Sequence, residues 1–128
     1  MEMCVNKCFK LYQIVINKKL ADLINKFDWG CHVTAQAYRN ACDGDPSLGI
    51  ANGCYTNTAD LTCKDLDHCY EVGNIGPNEF INKRYSEGEL AGVRSVSVGD
   101  LLEDEDGLLH LVDQIGFRNV THLKKAQN

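Results

Sequence analysis

The stretch Arg94–Val120, RSVSVGDLLEDEDGLLHLVDQIGFRNV, decides how the chain is read. Val96 and Val98 alternate with Ser95 and Ser97, the period-2 pattern of a half-buried strand. Gly99-Asp100 suits a tight turn or bulge, because glycine tolerates positive φ and aspartate bonds its own backbone. Leu101 and Leu102 open the next strand. Asp106-Gly107 between two apolar runs then predicts a hairpin with a type I′ turn. The return strand, Leu108–Asp113, places Leu109, Leu111 and Asp113 on one face and Leu108, His110 and Val112 on the other. Gln114–Val120 adds a last short strand around Gly116-Phe117. The stretch is therefore expected to fold as an antiparallel β-meander. Glu103, Asp104, Glu105 and Asp106 read as a solvated hairpin tip, since the ligand spacing and closing glutamate of a calcium loop are missing.

Working outward, Phe9–Ile16 (FKLYQIVI) alternates as a strand covered in part on both faces. Asn17 is placed to cap a helix over Lys18–Asp28. Leu20, Leu23, Ile24 and Phe27 form its apolar stripe, and Lys18, Lys19, Asp22, Asn25 and Lys26 its wet face. Lys18 and Lys19 oppose the helix dipole, which fits a solvated surface or a partner contact. Gly30 is expected to cap the helix. A short helix is expected over Ala35–Ala41, a loop over Asp43–Gly53, and a second main strand over Tyr55–Leu61. Thr62 and Asp65 suggest a capping box for a helix that carries Leu66, Cys69 and Tyr70 on one face and ends at Gly73. Asn74-Ile75-Gly76-Pro77 reads as a rigid loop, Glu79–Ile81 as a helical turn, and Lys83–Gly92 as a polar connection.

With 128 residues, 44% of them hydrophobic, one core and one domain spanning 1–128 are expected. The fold class is α+β: a single small domain, a mainly antiparallel sheet with a C-terminal β-meander, and two or three helices covering one face. The net charge of −5 argues against a binder of the nucleic-acid backbone, which usually shows a basic face. No run approaches the length of a membrane span. Seven cysteines, Cys4, Cys8, Cys31, Cys42, Cys54, Cys63 and Cys69, cannot all pair internally. The N-terminus has no apolar region like that of a signal peptide. A cytoplasmic chain with reduced cysteines is therefore expected.

The residues carrying the ending, RSVSVGDLL…DG…LVDQIGFRNV, resemble the end of the small YodL-like domains of phage, plasmid and bacterial proteins. Those domains commonly show a Ser-x-Ser-Val-Gly-Asp strand, a hairpin and then Val-Asp-x-x-Gly-Phe. The upstream LDHCYEVGNIGPNEF is similar to a helix-to-loop segment in small phage and bacterial proteins with the same ending. The resemblance covers Leu61–Val120, roughly half the chain. It implies a phage- or mobile-element-encoded accessory or host-modulating protein acting in the host cytoplasm through a host or phage protein, with no assigned catalytic residues.

The candidate chemistry is sparse. Cys54, Cys63, His68 and Cys69 are borderline zinc ligands, but no CxxC pair is present, and neither metal nor cofactor is expected. Cys31-His32 is not a positioned nucleophile and base, and His110 and Asp113 fall on opposite faces of one strand. No enzyme activity is expected. Gly73, Asn74 and Gly76 could form a backbone anion nest, with Arg84, Arg94 and Arg118 adding charge for a small nucleotide-like anion. Trp29 and Phe117 read as core aromatics. The partner- or ligand-binding residues are expected to be Asn74, Gly76, Phe80, Arg84, Tyr85 and Arg94, because the polar connection from 74 to 94 is long for so small a domain.

Overall fold

A computed structural model of the chain describes residues 7–75, 81 and 95–127. The elements are β1 (Lys7–Ile14), α1 (Lys18–Phe27), a 3-10 turn (Trp29–Cys31), α2 (Val33–Cys42), α3 (Ser47–Ala51), β2 (Tyr55–Cys63), α4 (Leu66–Ile75), β3 (Leu101–Glu103), β4 (Leu109–Val112), β5 (Phe117–Asn119) and a C-terminal 3-10 segment (Thr121–Gln127). The strands form one sheet in the order β2-β1-β3-β4-β5. Every pairing is antiparallel. The expected α+β domain with its C-terminal meander is present.

Strand alternation sorts the core onto two faces. Phe9, Leu11, Ala59, Leu61, Cys63, Leu102 and Val112 line one face, where α4 packs Cys69, Leu66 and Val72 against them. Leu101, Leu109 and Leu111 line the other, beneath Ile50 of α3 and Leu123 of the C-terminal segment. A third cluster joins Ile14 at the end of β1 to Ala37 and Ala41 of α2. Helical cover is thus shared between the faces.

Several local expectations are corrected. Ser95–Val98 is not a strand: 95–97 is irregular and a turn follows. Its backbone is claimed elsewhere, with the Ser97 amide donating to Asp100 Oδ2 (3.0 Å) and the Val96 amide to the Gly73 carbonyl (3.3 Å). The hairpin turn is not type I′. The Gly107 amide donates to the Asp104 carbonyl, and Gly107, with φ +82°, is the only residue of this tip at positive φ. A type I′ turn would need two.

Asp28, at φ +73°, ends α1 in place of Gly30, and its amide donates to the Ile24 carbonyl (2.7 Å). Asp43–Gly53 is not a plain loop but contains α3. Asp45 Oδ1 accepts from the Ser47 amide (3.0 Å) and hydroxyl (2.6 Å), and these bonds hold its carboxyl below the usual value. A Cβ at Gly49 would lie 2.8 Å from the Tyr55 ring, so glycine is what lets α3 sit this close to β2.

The cap of α4 is Asp65 rather than Thr62. Asp65 Oδ1 accepts from the His68 amide (2.8 Å), and His68 Nδ1 accepts from the Lys64 amide (3.0 Å). Thr62 is committed to β2, opposite Cys8. α4 runs through Gly73 to Ile75. Ile81 is not helical: it forms an isolated antiparallel bridge with Asp60 at the outer edge of β2.

Candidate functional site

Of the residues expected to bind a partner or ligand, Asn74 lies exposed on the last turn of α4. Gly76, Phe80, Arg84, Tyr85 and Arg94 lie outside the described residues, and most of the expected loop interface with them; of the expected anion nest, Gly73 and Asn74 are helical residues of α4. Arg118 faces α2 and α3 instead, donating to the Gly44 carbonyl and lying 3.7 Å from Asp113.

The four candidate zinc ligands are not brought together. Cys54 and Cys63 bracket the nine-residue β2 and are therefore on the order of 30 Å apart. Cys63 and Cys69 are buried in the core against one another, and burial raises both thiols. His68 Nδ1 is occupied by the Lys64 amide. Among the described residues no group of three or more His, Cys, Asp or Glu side chains is arranged to hold a metal ion.

The excursion α1–3-10 turn–α2 is where the structure places unexplained apolar surface. Asn17 caps α1 as expected, its Oδ1 accepting from the Leu20 amide (2.8 Å), and Lys18 is offset by Asp22 at 3.5 Å. The expected apolar stripe forms, yet only Leu20 is buried. Leu23 is 36% exposed and Phe27 60%, followed by Val33 at 41%. The cause is tertiary: α1 packs chiefly on the 3-10 turn that follows it rather than on the sheet.

Asp28 then turns the chain, and its Oδ1 accepts from the Trp29 amide (2.8 Å). Trp29 joins none of the core clusters. It is half-buried and stacks on Tyr38 of α2, with centroids 5.7 Å apart and planes at 12°. Arg39, Cys42 and Asp43 complete a shallow depression around this pair. Lys26 Nζ lies 5.4 Å from the Phe27 ring centroid. Tryptophan, tyrosine and arginine are the residue types enriched among interface anchors. Trp29 and Phe27 were legible as aromatics; what reasoning from sequence missed was that the sheet does not cover them.

A second depression, about 500 Å³, lies between the start of α4 and the β3–β4 hairpin. Carboxylates of Asp65, Asp67, Asp104, Glu105 and Asp106 surround it, Phe9 and Phe117 line it, and Lys7 and His110 reach its edge. The hairpin tip is more than a solvated turn. Asp104 Oδ1 accepts from the Asp106 and Leu108 amides (both 2.9 Å), and Oδ2 is 2.9 Å from His110 Nε2.

Burial pushes the Asp104 carboxyl up, but these hydrogen bonds outweigh it and hold the group below its ordinary 3.8. A depressed carboxyl stabilises the fold above the unfolded value, and that contribution is lost as pH falls through the folded value. The stability gap between wild type and Asp104→Ala, read by urea unfolding, should be full at neutral pH and shrink below about pH 4. A gap that stays undiminished well below about pH 4 would contradict this account.

Among the described residues no helix is long and apolar enough to cross a membrane. No family model matches the chain, and neither does any curated protein or solved structure.

Proposed function

We propose that the chain is a small non-enzymatic protein that acts by binding another protein, as an accessory or host-modulating factor of the YodL-like, phage- or mobile-element-encoded kind. One observation carries the binding reading. α1 has a well-formed apolar stripe, and Leu23 and Phe27 of that stripe are left in water. Exposed apolar area forgoes about 25 cal/mol per Å² that burial would return, and a partner surface recovers it. The neighbouring Trp29–Tyr38 stack, presented on short helices, loses little side-chain entropy on binding. Cytoplasmic action belongs to the same proposal, and the odd number of cysteines, seven, which cannot all pair internally, suits a reducing compartment.

The test compares wild type with Leu23→Ser/Phe27→Ser as baits in lysate of the bacterial host, after circular dichroism has shown both folded. The double variant should keep its stability within about 1 kcal/mol, as for two surface changes, and lose a specific partner at least tenfold. Equal retention of that partner by both baits would place the interface elsewhere.

A further inference from the structure

We infer that the exposed face of α1 docks, head to tail, on the acidic depression between α4 and the β3–β4 hairpin of a second copy of the chain. The inference rests on the reading of α1 as an interface and names a partner for it. Lys19, Leu23, Lys26 and Phe27 are spaced i, i+4, i+7 and i+8, so they share one side of the helix. All four are exposed. Lys26 Nζ, 5.4 Å from the Phe27 ring centroid, joins the charge to the apolar surface. The face is therefore basic as well as apolar, in a chain whose net charge is −5. It fits a surface where apolar groups sit among carboxylates.

The chain carries such a surface. Half-buried Phe117 lines the depression of about 500 Å³, and Asp67, Glu105 and Asp106 stand exposed around it. Lys7 at the rim leaves the balance negative. The depression opens at the start of β1, and α1 follows the end of that strand, on the order of 20 Å further along it. α1 packs chiefly on the 3-10 turn, so the two surfaces do not cover each other within one molecule. Two α1 faces pressed together would set Lys19 and Lys26 against the same lysines of the other copy, like charge on like. Head to tail, they meet carboxylates. The ten-residue helix offers a face about 15 Å long and 10 Å wide, less than the ~800 Å² per partner of a stable complex, so the contact is weak. Because the two surfaces differ, each added copy leaves one of each unfilled, and assembly runs past the dimer.

The experiment is sedimentation velocity of the full chain over a range of concentrations up to about 1 mM, where the mean mass should rise past that of a dimer with Kd on the order of 0.1 mM. Raising salt from about 0.1 M to about 1 M, which shortens the screening length from about 10 Å to about 3 Å, should weaken the association at least about fivefold. Lys19→Glu/Lys26→Glu and Asp67→Lys/Asp106→Lys, each shown folded by circular dichroism, should each weaken it at least about tenfold. An equimolar mixture of the two should associate again, because each offers the charge that the other lacks. Carbodiimide cross-linking of labelled with unlabelled wild type decides the matter if either variant does not fold. It should join Lys19 or Lys26 of one copy to Asp67, Glu105 or Asp106 of another. The inference is overturned if the chain is monomeric at about 1 mM or stops at a dimer. It is also overturned if Asp67→Lys/Asp106→Lys associates as wild type does, if the mixture of folded variants stays monomeric, or if the cross-links map elsewhere. A monomeric wild type leaves the α1 interface itself to the lysate comparison, where loss of a captured protein from Leu23→Ser/Phe27→Ser would assign the face to that protein instead.

Discussion

Leu61→Ala is expected to lower the free energy of unfolding by about 2–5 kcal/mol, the cost of emptying a well-packed core site. Leu23→Ala is expected to change it by less than about 0.5 kcal/mol. Both leucines sit at apolar positions of regular elements, and composition alone would rank them together. Leu61 is fully buried in β2, opposite Phe9 in register, among Leu11, Cys63, Cys69 and Leu102. Deleting its side chain opens a cavity between sheet and helix that strands tied by backbone hydrogen bonds cannot close. Leu23 already meets water, and alanine is the better helix former there. Urea unfolding followed by circular dichroism measures both. A loss above about 2 kcal/mol at Leu23 would mean that α1 is packed against the body of the protein. A loss below about 1 kcal/mol at Leu61 would mean that this face of the sheet is not the core.

The same contrast explains what was legible in the sequence. Period-2 alternation located β1 and sorted Leu109 and Leu111 from His110 and Val112 correctly, because strand geometry ties face to sequence parity. The helical period located α1 and its stripe equally well. It could not say what covers the stripe, since that depends on where the chain turns after Phe27. Asp28 makes that turn with a backbone conformation that local rules assign to glycine. Ser95–Val98 shows the opposite failure: the alternation is present, but the side chain of Asp100 takes the Ser97 amide. Thr62 is a good cap by type, yet the strand before it extends two residues further than its apolar run and consumes it, leaving the role to Asp65. The Asp104–His110 pair joins two residues six apart across a turn, with no periodic signature. The depression beside α2 was invisible for the same reason: Trp29 meets Tyr38 only because the 3-10 turn that carries it packs against α2.

Asp100→Ala should be among the more destabilising polar substitutions, at about 1–3 kcal/mol, the cost of a buried donor that loses its partner. Asp100 lies buried just before β3. Its Oδ2 accepts from Gln13 Nε2 (2.9 Å) and from the Ser97 amide (3.0 Å). Gln13, fully buried in β1, passes the connection on: its Oε1 accepts from the Thr58 hydroxyl (2.8 Å). Thr58 occupies the point where the β1–β2 register slips, between the pairs Leu11↔Ala59 and Tyr12↔Asn57. An extra residue in one strand leaves polar groups off the ladder, and here the Gln13 amide gathers them. Among the described residues no buried side-chain nitrogen or oxygen lacks a partner; without the carboxylate, Gln13 Nε2 keeps only its longer bond to the Ser95 carbonyl (3.4 Å) among the bonds described here. Asp100→Asn keeps an acceptor oxygen and should cost less than alanine. Gln13→Leu removes the buried donor that loses its short bond in Asp100→Ala, so the double variant Gln13→Leu/Asp100→Ala should be more stable than the sum of the single losses predicts, by at least about 0.5 kcal/mol in a double-mutant cycle, the lower end for residues in one network. Strict additivity would show that Gln13 and Asp100 do not depend on each other. The bulge would then be held by packing alone.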